Sequence, residues 1–176
     1  MLNCDSLILN GLDLGCGNGI GGIKEVYITT YDSLSGTPSF DDEAGTVNNL
    51  NVSKKFKVYK FRKATGSLTS TLNIDDSAGT SYIQSDLSLQ FNKYADVATR
   101  LEIQALSISN LIVIVKTNNG QFVYLGADNP VTATAGGGQT GQAYADGSFY
   151  NITLTDISRN YPYIVDETTI SRVVEL

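Results

Sequence analysis

Histidine, the residue most often used in acid–base chemistry and zinc binding, is absent from this chain. The chain therefore has no Ser-His-Asp or Cys-His pair and no histidine-ligated zinc. It also has no side chain that ordinarily titrates near neutral pH. The two cysteines, Cys4 and Cys16, lie close to the N-terminus. We expect two free thiols there, because a cytoplasmic compartment disfavours a disulfide.

Three further patterns resemble binding motifs. Residues 17–22 fit the G-x-G-x-x-G spacing of dinucleotide sites, but that motif needs a strand before it and a helix after it. Here an unpatterned segment precedes it and a predicted strand follows, which favours a hinge. The acidic triplet at 41–43 and the acidic pair at 75–76 lack the spacing of an EF-hand and are typical of solvated turns. We therefore expect no catalytic residue, no metal and no cofactor.

Charge is distributed unevenly along the chain, which carries 12 Lys and Arg against 18 Asp and Glu. Residues 54–63, called the basic strip below, contain six of the basic residues and no acid. The rest of the chain then carries six positive and eighteen negative charges. A solvated strand or a nucleic-acid site would fit such a strip. We favour self-association, because the complementary charge is on the same molecule. The predicted contact residues are Lys54, Lys55, Lys57, Lys60, Arg62 and Lys63.

Alternating hydrophobic and polar residues predict β-strands over most of the chain. Residues 80–91 alternate most clearly. One side of this strand carries Ile83, Leu87, Leu89 and Phe91, and the other carries Gln84, Asp86, Ser88 and Gln90. Further strands are predicted at 23–31, 54–63, 67–74, 111–116, 121–126 and 148–156. The Asn119-Gly120 pair predicts a hairpin between the strands at 111–116 and 121–126.

One segment has a helical period. At 93–108, apolar residues recur every three or four positions, with Asn92 as the predicted N-cap. The stripe expected to face a sheet contains Tyr94, Val97, Ala98, Leu101, Ala105 and Ile108. Residues 127–147 are Gly-rich and are predicted to form a long loop.

Together these elements predict an α+β fold, mainly antiparallel, built as a sandwich or barrel with one flanking helix. We expect an N-terminal arm at 1–22, a β domain at 23–160 and a C-terminal strand or arm at 161–176. The composition, 41% hydrophobic and 17% charged, is sufficient for a core. No apolar run approaches the length of a membrane-spanning helix, and the N-terminus lacks a signal-peptide pattern, so we expect a cytoplasmic product with no membrane partner.

Several short segments in this order resemble the structural tail proteins of bacteriophages, above all the tail tube proteins of phages that infect Bacteroidetes. The resemblance covers about residues 20–165. It rests on the run from Gly22 to Ile28, the segments at 57–63 and 87–91, the strand at 112–116 and Asn119-Gly120. It continues through Tyr124-Leu125-Gly126, Gly141, Asp146-Gly147 and Tyr150 to Ile152-Thr153-Leu154.

This resemblance implies a virion structural protein and no enzyme. Tail tube proteins, like the inner-tube proteins of type VI secretion and contractile injection systems, form rings of six subunits that stack into a tube. The inner strands of a ring close into one large barrel, and DNA passes through it without specific binding. The implied partners are further copies of the chain and other phage tail proteins. The implied location is the virion tail, which is assembled in the bacterial cytoplasm. In such a tube we expect the lumen to be lined by Gln84, Asp86, Ser88 and Gln90.

Two other functions fit the same sequence. A neck, ring or tail-terminator protein would share the fold without polymerising. A carbohydrate-binding or adhesin module would fit the ten tyrosines of a β-rich chain. Distant paired carboxylates, as in glycosidases, remain open on sequence alone, but the chain lacks the tryptophan platform common in sugar sites.

Overall fold

The computed structural model describes residues 19–62, 64–92 and 94–174, and two β-sheets dominate it. In chain order the first strands are β1 (Ile23–Thr30), β2 (Ser39–Asp41), β3 (Thr46–Asn49), β4 (Lys57–Tyr59), β5 (Ser67–Asp75) and β6 (Thr80–Asn92). Helix α1 (Val97–Ile108) follows. The remaining elements are β7 (Leu111–Thr117), β8 (Phe122–Leu125), β9 (Thr132–Gln139), β10 (Phe149–Ser158), β11 (Tyr163–Val165) and helix α2 (Glu167–Val173).

Seven strands form one sheet in the order β2-β3-β11-β8-β7-β1-β4, and four form a second in the order β5-β6-β10-β9. All pairings are antiparallel except that of β11 with β3. The α+β, mainly antiparallel prediction is confirmed. The sheets do not close into a barrel, and the described residues include a second helix, α2, where the sequence predicted only a strand or arm.

The apolar run in β7 is explained by burial on both faces. Val113 and Val115 point into the core between the two sheets, whereas Ile112 and Ile114 point into a second core on the other side of the seven-stranded sheet. Burial on both faces removes the polar alternation that a half-exposed strand would show. The Asn119-Gly120 hairpin prediction is confirmed by the β7–β8 pairing, with Gly120 at φ +83°.

The second core includes residues from 32–53, a segment between two predicted strands for which the sequence predicted no helix or strand. This segment supplies β2 and β3 of the seven-stranded sheet and buries Val47 and Leu50 in the second core. Phe56 from the basic strip and Ile170 from α2 complete the same cluster. The molecule thus has three layers: the four-stranded sheet, the seven-stranded sheet, and a cover built from residues 50–56 and α2.

Helix α1 turns a different face to the core from the one predicted. Leu106 is buried and Ile103 packs against the core, but Val97, Leu101 and Ile108 are 63%, 55% and 87% exposed. The N-cap is Asp96 rather than Asn92, because β6 continues through Asn92 and the Asp96 Oδ2 accepts the Thr99 amide at 3.0 Å. Periodicity located the helix but selected the wrong stripe, since both stripes are apolar.

The predicted loop at 127–147 contains a strand, β9, that pairs with β10. This strand contains three consecutive glycines, Gly136–Gly138, which have no strand-forming side chains. The local sequence therefore does not predict β9. The close approach of aromatic rings explains one of these glycines: a Cβ on Gly138 would lie 2.7 Å from ring carbons of Tyr94 and Tyr150. Backbone pairing to β10 forms the strand without help from the side chains.

Candidate functional site

The outward face of the four-stranded sheet is the largest regular surface that the sequence predicted. Along β6, Ile83, Leu87 and Leu89 are buried toward the core. The predicted lining residues alternate with them: Ser88 is exposed, and Gln84, Asp86 and Gln90 are half-buried. Antiparallel register places further polar residues beside them, and we call this set the polar face. Its other members include Ser67, Thr69, Thr71, Asn73, Asn151, Thr153, Thr155, Thr132 and Thr134.

Hydrogen bonds between neighbouring strands hold the polar face in place. Asp86 accepts the Thr155 hydroxyl at 2.6 Å and the Gln84 amide at 2.9 Å. Thr155 is in turn 2.8 Å from the hydroxyl of Thr134 on β9. Strands β6, β10 and β9 are therefore linked through side chains as well as through the backbone. The single carboxylate near the middle of the face accepts two hydrogen bonds, and the residues around it on the face are neutral, with Tyr82 and Ile157 as the exposed large side chains of the face.

The four strands contain no cation. All twelve Lys and Arg residues of the chain lie outside β5, β6, β9 and β10, although these strands make up much of the fold. Their acidic residues are Asp75, Asp86 and the buried Asp156. A nucleic-acid binding surface would carry Lys and Arg to neutralise phosphates. The strands that form this face carry no Lys or Arg, so the face is not suited to hold a nucleic acid.

Both edge strands of the four-stranded sheet are long, and helix α1 lies beside one of them, β9. Within the described residues, β5 and β9 each pair on one side only. β9 has no charged residue or proline, and β5 has only Asp75 at its end. On β5, the core-side residues Leu72 and Ile74 are 46% and 66% exposed. Soluble proteins usually guard such edges with charge, proline or very short strands, since a free edge pairs with other chains.

The basic strip lies at an edge of the other sheet. Of the predicted strand at 54–63, Lys57–Tyr59 forms β4 and pairs with β1, and Phe56 makes a single parallel bridge to Val174. The side chains of Lys54, Lys55, Lys57, Lys60 and Arg62 are exposed. Lys63 lies outside the described residues, as do Cys4 and Cys16. The predicted lining residues and the predicted contact residues thus belong to different sheets.

The opposite edge of the seven-stranded sheet is acidic. Strand β2 ends at Asp41, and the turn that follows carries Asp42 and Glu43; we call residues 41–45 the acidic turn. The Asp41 Oδ1 accepts the amides of Glu43 and Ala44 at 3.0 Å and so fixes the turn. Asp42 accepts the Tyr163 hydroxyl at 2.6 Å. The sequence predicted a solvated turn here, and the sheet order adds that it lies at the edge farthest from β4.

A groove of about 590 Å³ runs between α1 and β9. Tyr94 and Tyr150 stack at its rim with ring centroids 4.9 Å apart, and Arg100, Gln104 and the glycines of β9 line its walls. Stacked tyrosines beside polar groups are a feature that sugar rings can use. The sequence shows ten tyrosines but does not predict that Tyr94 and Tyr150 stack, because these two residues are far apart in the chain.

Sequence reasoning missed one buried ionisable group, Asp156 on β10. Its side chain is 1% exposed, and burial raises its pKa from 3.8 to about 6, although the Gly126 amide and the Ser158 hydroxyl act to lower it. Asp156 Oδ1 and the Tyr124 hydroxyl are both buried with no hydrogen-bond partner among the described residues. The sequence predicted a strand at 148–156 that ends at Asp156, but nothing in it indicated that this carboxylate is buried.

Other chemistry is not evident in the part of the chain that the structure covers. No group of three or more His, Cys, Asp or Glu side chains there is placed to hold a metal ion. None of the helices in the described ranges is long and apolar enough to cross a membrane.

Comparison with family models, with curated proteins and with solved structures found no match in any of the three. The functional argument therefore depends on the surfaces described above.

Proposed function

We propose that this chain is the subunit of a self-assembling tube that conducts DNA, of the kind formed by bacteriophage tail tube proteins. The observation that carries the proposal is the four-stranded sheet: two long edge strands without Lys, Arg or Pro border a polar face that also has no Lys or Arg. Free edges favour continuation of the sheet into neighbouring copies. A face without cations does not retain a sliding polyanion.

The dimensions of such a ring are compatible with passage of a DNA duplex. Six copies would contribute twenty-four strands, which at about 4.8 Å apart span about 115 Å across the strands. A strand tilt of roughly 40° lengthens the circumference to about 150 Å and gives a backbone diameter of about 48 Å. Side chains projecting about 5 Å leave a lumen of roughly 38 Å, wider than the roughly 20 Å duplex. Gln84, Asp86, Ser88 and Gln90 would lie on its wall.

The exposed apolar surface also favours a subunit over an isolated monomer. Val97, Leu101 and Ile108 leave one side of α1 apolar and open to solvent, and Leu72 and Ile74 do the same at the β5 edge. Apolar patches of this kind commonly mark contact surfaces between proteins.

The first test is assembly of the purified protein, observed by negative-stain electron microscopy. The wild type should form rings or tubes, whereas Leu72→Lys with Ile74→Lys should remain monomeric, because a charge on the core side of an edge strand opposes pairing. The matched control is Ile20→Lys with Tyr144→Lys, which replaces two exposed apolar residues outside strands β5, β6, β9 and β10 and outside the acidic turn. Tubes that form equally well from the β5 variant would contradict the proposal. Single rings without tubes would favour a neck or terminator protein.

The second test asks whether the polar face lines the lumen. Gln84→Lys with Ser88→Lys should leave assembly intact but make the tubes retain short duplex DNA, with a salt dependence that steepens for each phosphate neutralised. The same two lysines placed at Thr37 and Asn48, both outside the four-stranded sheet, serve as the control. Equal DNA retention by both variants would place the polar face elsewhere than on the lumen.

A carbohydrate-binding module is the second candidate, and the stacked Tyr94–Tyr150 pair beside the α1–β9 groove is the observation in its favour. Binding of a glycan that is lost in Tyr94→Ala, by a protein that stays monomeric, would select this function over the tube.

A further inference from the structure

The two edges of the seven-stranded sheet carry opposite charge. At one edge, β4 and its flanks present the exposed cations Lys54, Lys55, Lys57, Lys60 and Arg62. At the other, β2 runs into the acidic turn with Asp41, Asp42 and Glu43. The asymmetry extends along the sequence, since residues 25–53 contain five acids and no Lys or Arg.

These two edges are too far apart to neutralise each other within one molecule. Six inter-strand spacings of about 4.8 Å separate β2 from β4 by about 29 Å. The Debye length at physiological salt is about 8 Å, so the attraction across one sheet is almost completely screened. Charge complementarity of this kind becomes effective only when the acidic turn of one molecule meets the basic strip of another.

We propose that the acidic turn of one copy docks against the basic strip of the next, and that this head-to-tail contact joins neighbouring subunits through the seven-stranded sheet. The inference rests on the proposed self-assembly and names a contact within it. Two different patches meet, so the interface is heterologous, and such interfaces produce closed rings or open helical filaments rather than isolated dimers. Opposite charges also set the direction, because two basic strips or two acidic turns repel each other.

The decisive experiment uses two complementary variants. Variant A reverses the basic strip with Lys55→Glu, Lys57→Glu, Lys60→Glu and Arg62→Glu. Variant B reverses the acidic turn with Asp42→Asn, Glu43→Lys and Ala44→Lys. Variant B keeps Asp41, because its carboxylate fixes the turn. The Asp42→Asn change keeps a side-chain oxygen that can accept the Tyr163 hydroxyl. A charge control reverses Lys24 and Arg172 to Glu, since these exposed cations lie outside both patches.

Each variant alone should need at least about a tenfold higher protein concentration to assemble at low salt, because several weak pairs are lost together. An equimolar mixture of A and B should assemble near the wild-type concentration, since each reversed patch then meets its complement. The charge control should assemble as the wild type does. Circular dichroism and thermal unfolding establish that each variant is folded.

A cross-linking measurement serves if either reversal variant fails to fold. In a background of Cys4→Ser and Cys16→Ser, one copy carries Glu43→Cys and the other Lys60→Cys. Oxidation of the mixture should give the mixed dimer, whereas replacing Lys60→Cys by Lys24→Cys should not.

The outcomes separate the two proposals. Normal assembly of A and of B alone, or equal cross-linking from Lys24→Cys, overturns the docking contact while leaving tube formation intact. A wild type that stays monomeric at high concentration and low salt overturns tube formation and the contact together. Recovery of assembly only in the mixture supports both.

Discussion

Replacement of the buried Asp156 by Asn should change how the stability of this protein depends on pH. Burial raises the pKa of Asp156 to about 6, above its ordinary value of 3.8, so the folded state binds this proton more tightly than the unfolded chain does. The stabilisation is fully present below about pH 4 and is lost as the pH rises through about 6. Ionised Asp156 therefore destabilises the fold at neutral pH.

The size of the effect follows from the shift. A difference of about two pKa units at 1.36 kcal/mol each amounts to about 3 kcal/mol. Asp156→Asn keeps the shape and removes the charge. The free energy of unfolding should therefore rise relative to the wild type by about 2–3 kcal/mol between about pH 4 and pH 8. Most of that gain should accumulate between about pH 4 and pH 6, the interval between the unfolded and folded pKa values, and little should be added at higher pH.

Urea denaturation of unassembled protein across this pH range measures the effect. The difference between variant and wild type isolates Asp156, since the other carboxylates titrate in both proteins. Asp76→Asn, which removes one charge from an exposed turn, is the control and should give a nearly constant difference. Parallel stability curves for Asp156→Asn and the wild type would refute the reasoning.

Three further substitutions test the packing. Phe56→Ala should lower the free energy of unfolding by about 3–5 kcal/mol in urea, because Phe56 is fully buried in the second core; a loss under about 1 kcal/mol would contradict that burial. Gly138→Val should lower the melting temperature and alter the near-ultraviolet tyrosine signal, since its Cβ must displace the rings of Tyr94 and Tyr150; Gly141→Val, which would not alter that signal, is the comparison. Asp96→Ala should cost about 1 kcal/mol by removing the N-cap of α1, whereas Asp96→Asn should restore most of it.

The sequence alone predicted those strands and turns in which the pattern of apolar and polar residues matches the burial of the side chains. The alternation at 80–91 predicted both β6 and the face that carries Gln84 and Ser88, because a strand buried on one side must alternate. The apolar run at 111–116 predicted a core strand, and Asn119-Gly120 predicted the turn after it. In these places the side-chain pattern and the tertiary environment agree.

Tertiary structure alone decided the features that depend on distant partners. Strand β9 exists because β10 pairs with its backbone, an interaction that Gly136–Gly138 neither favour nor oppose through their side chains. The buried face of α1 was settled by docking of Ile103 and Leu106, since Val97 and Ile108 form an equally apolar stripe. Sheet order likewise placed the basic strip and the acidic turn at opposite edges, which their closeness in sequence does not suggest. Non-local pairing and packing are set by the whole chain, and a window of neighbouring residues contains no record of them.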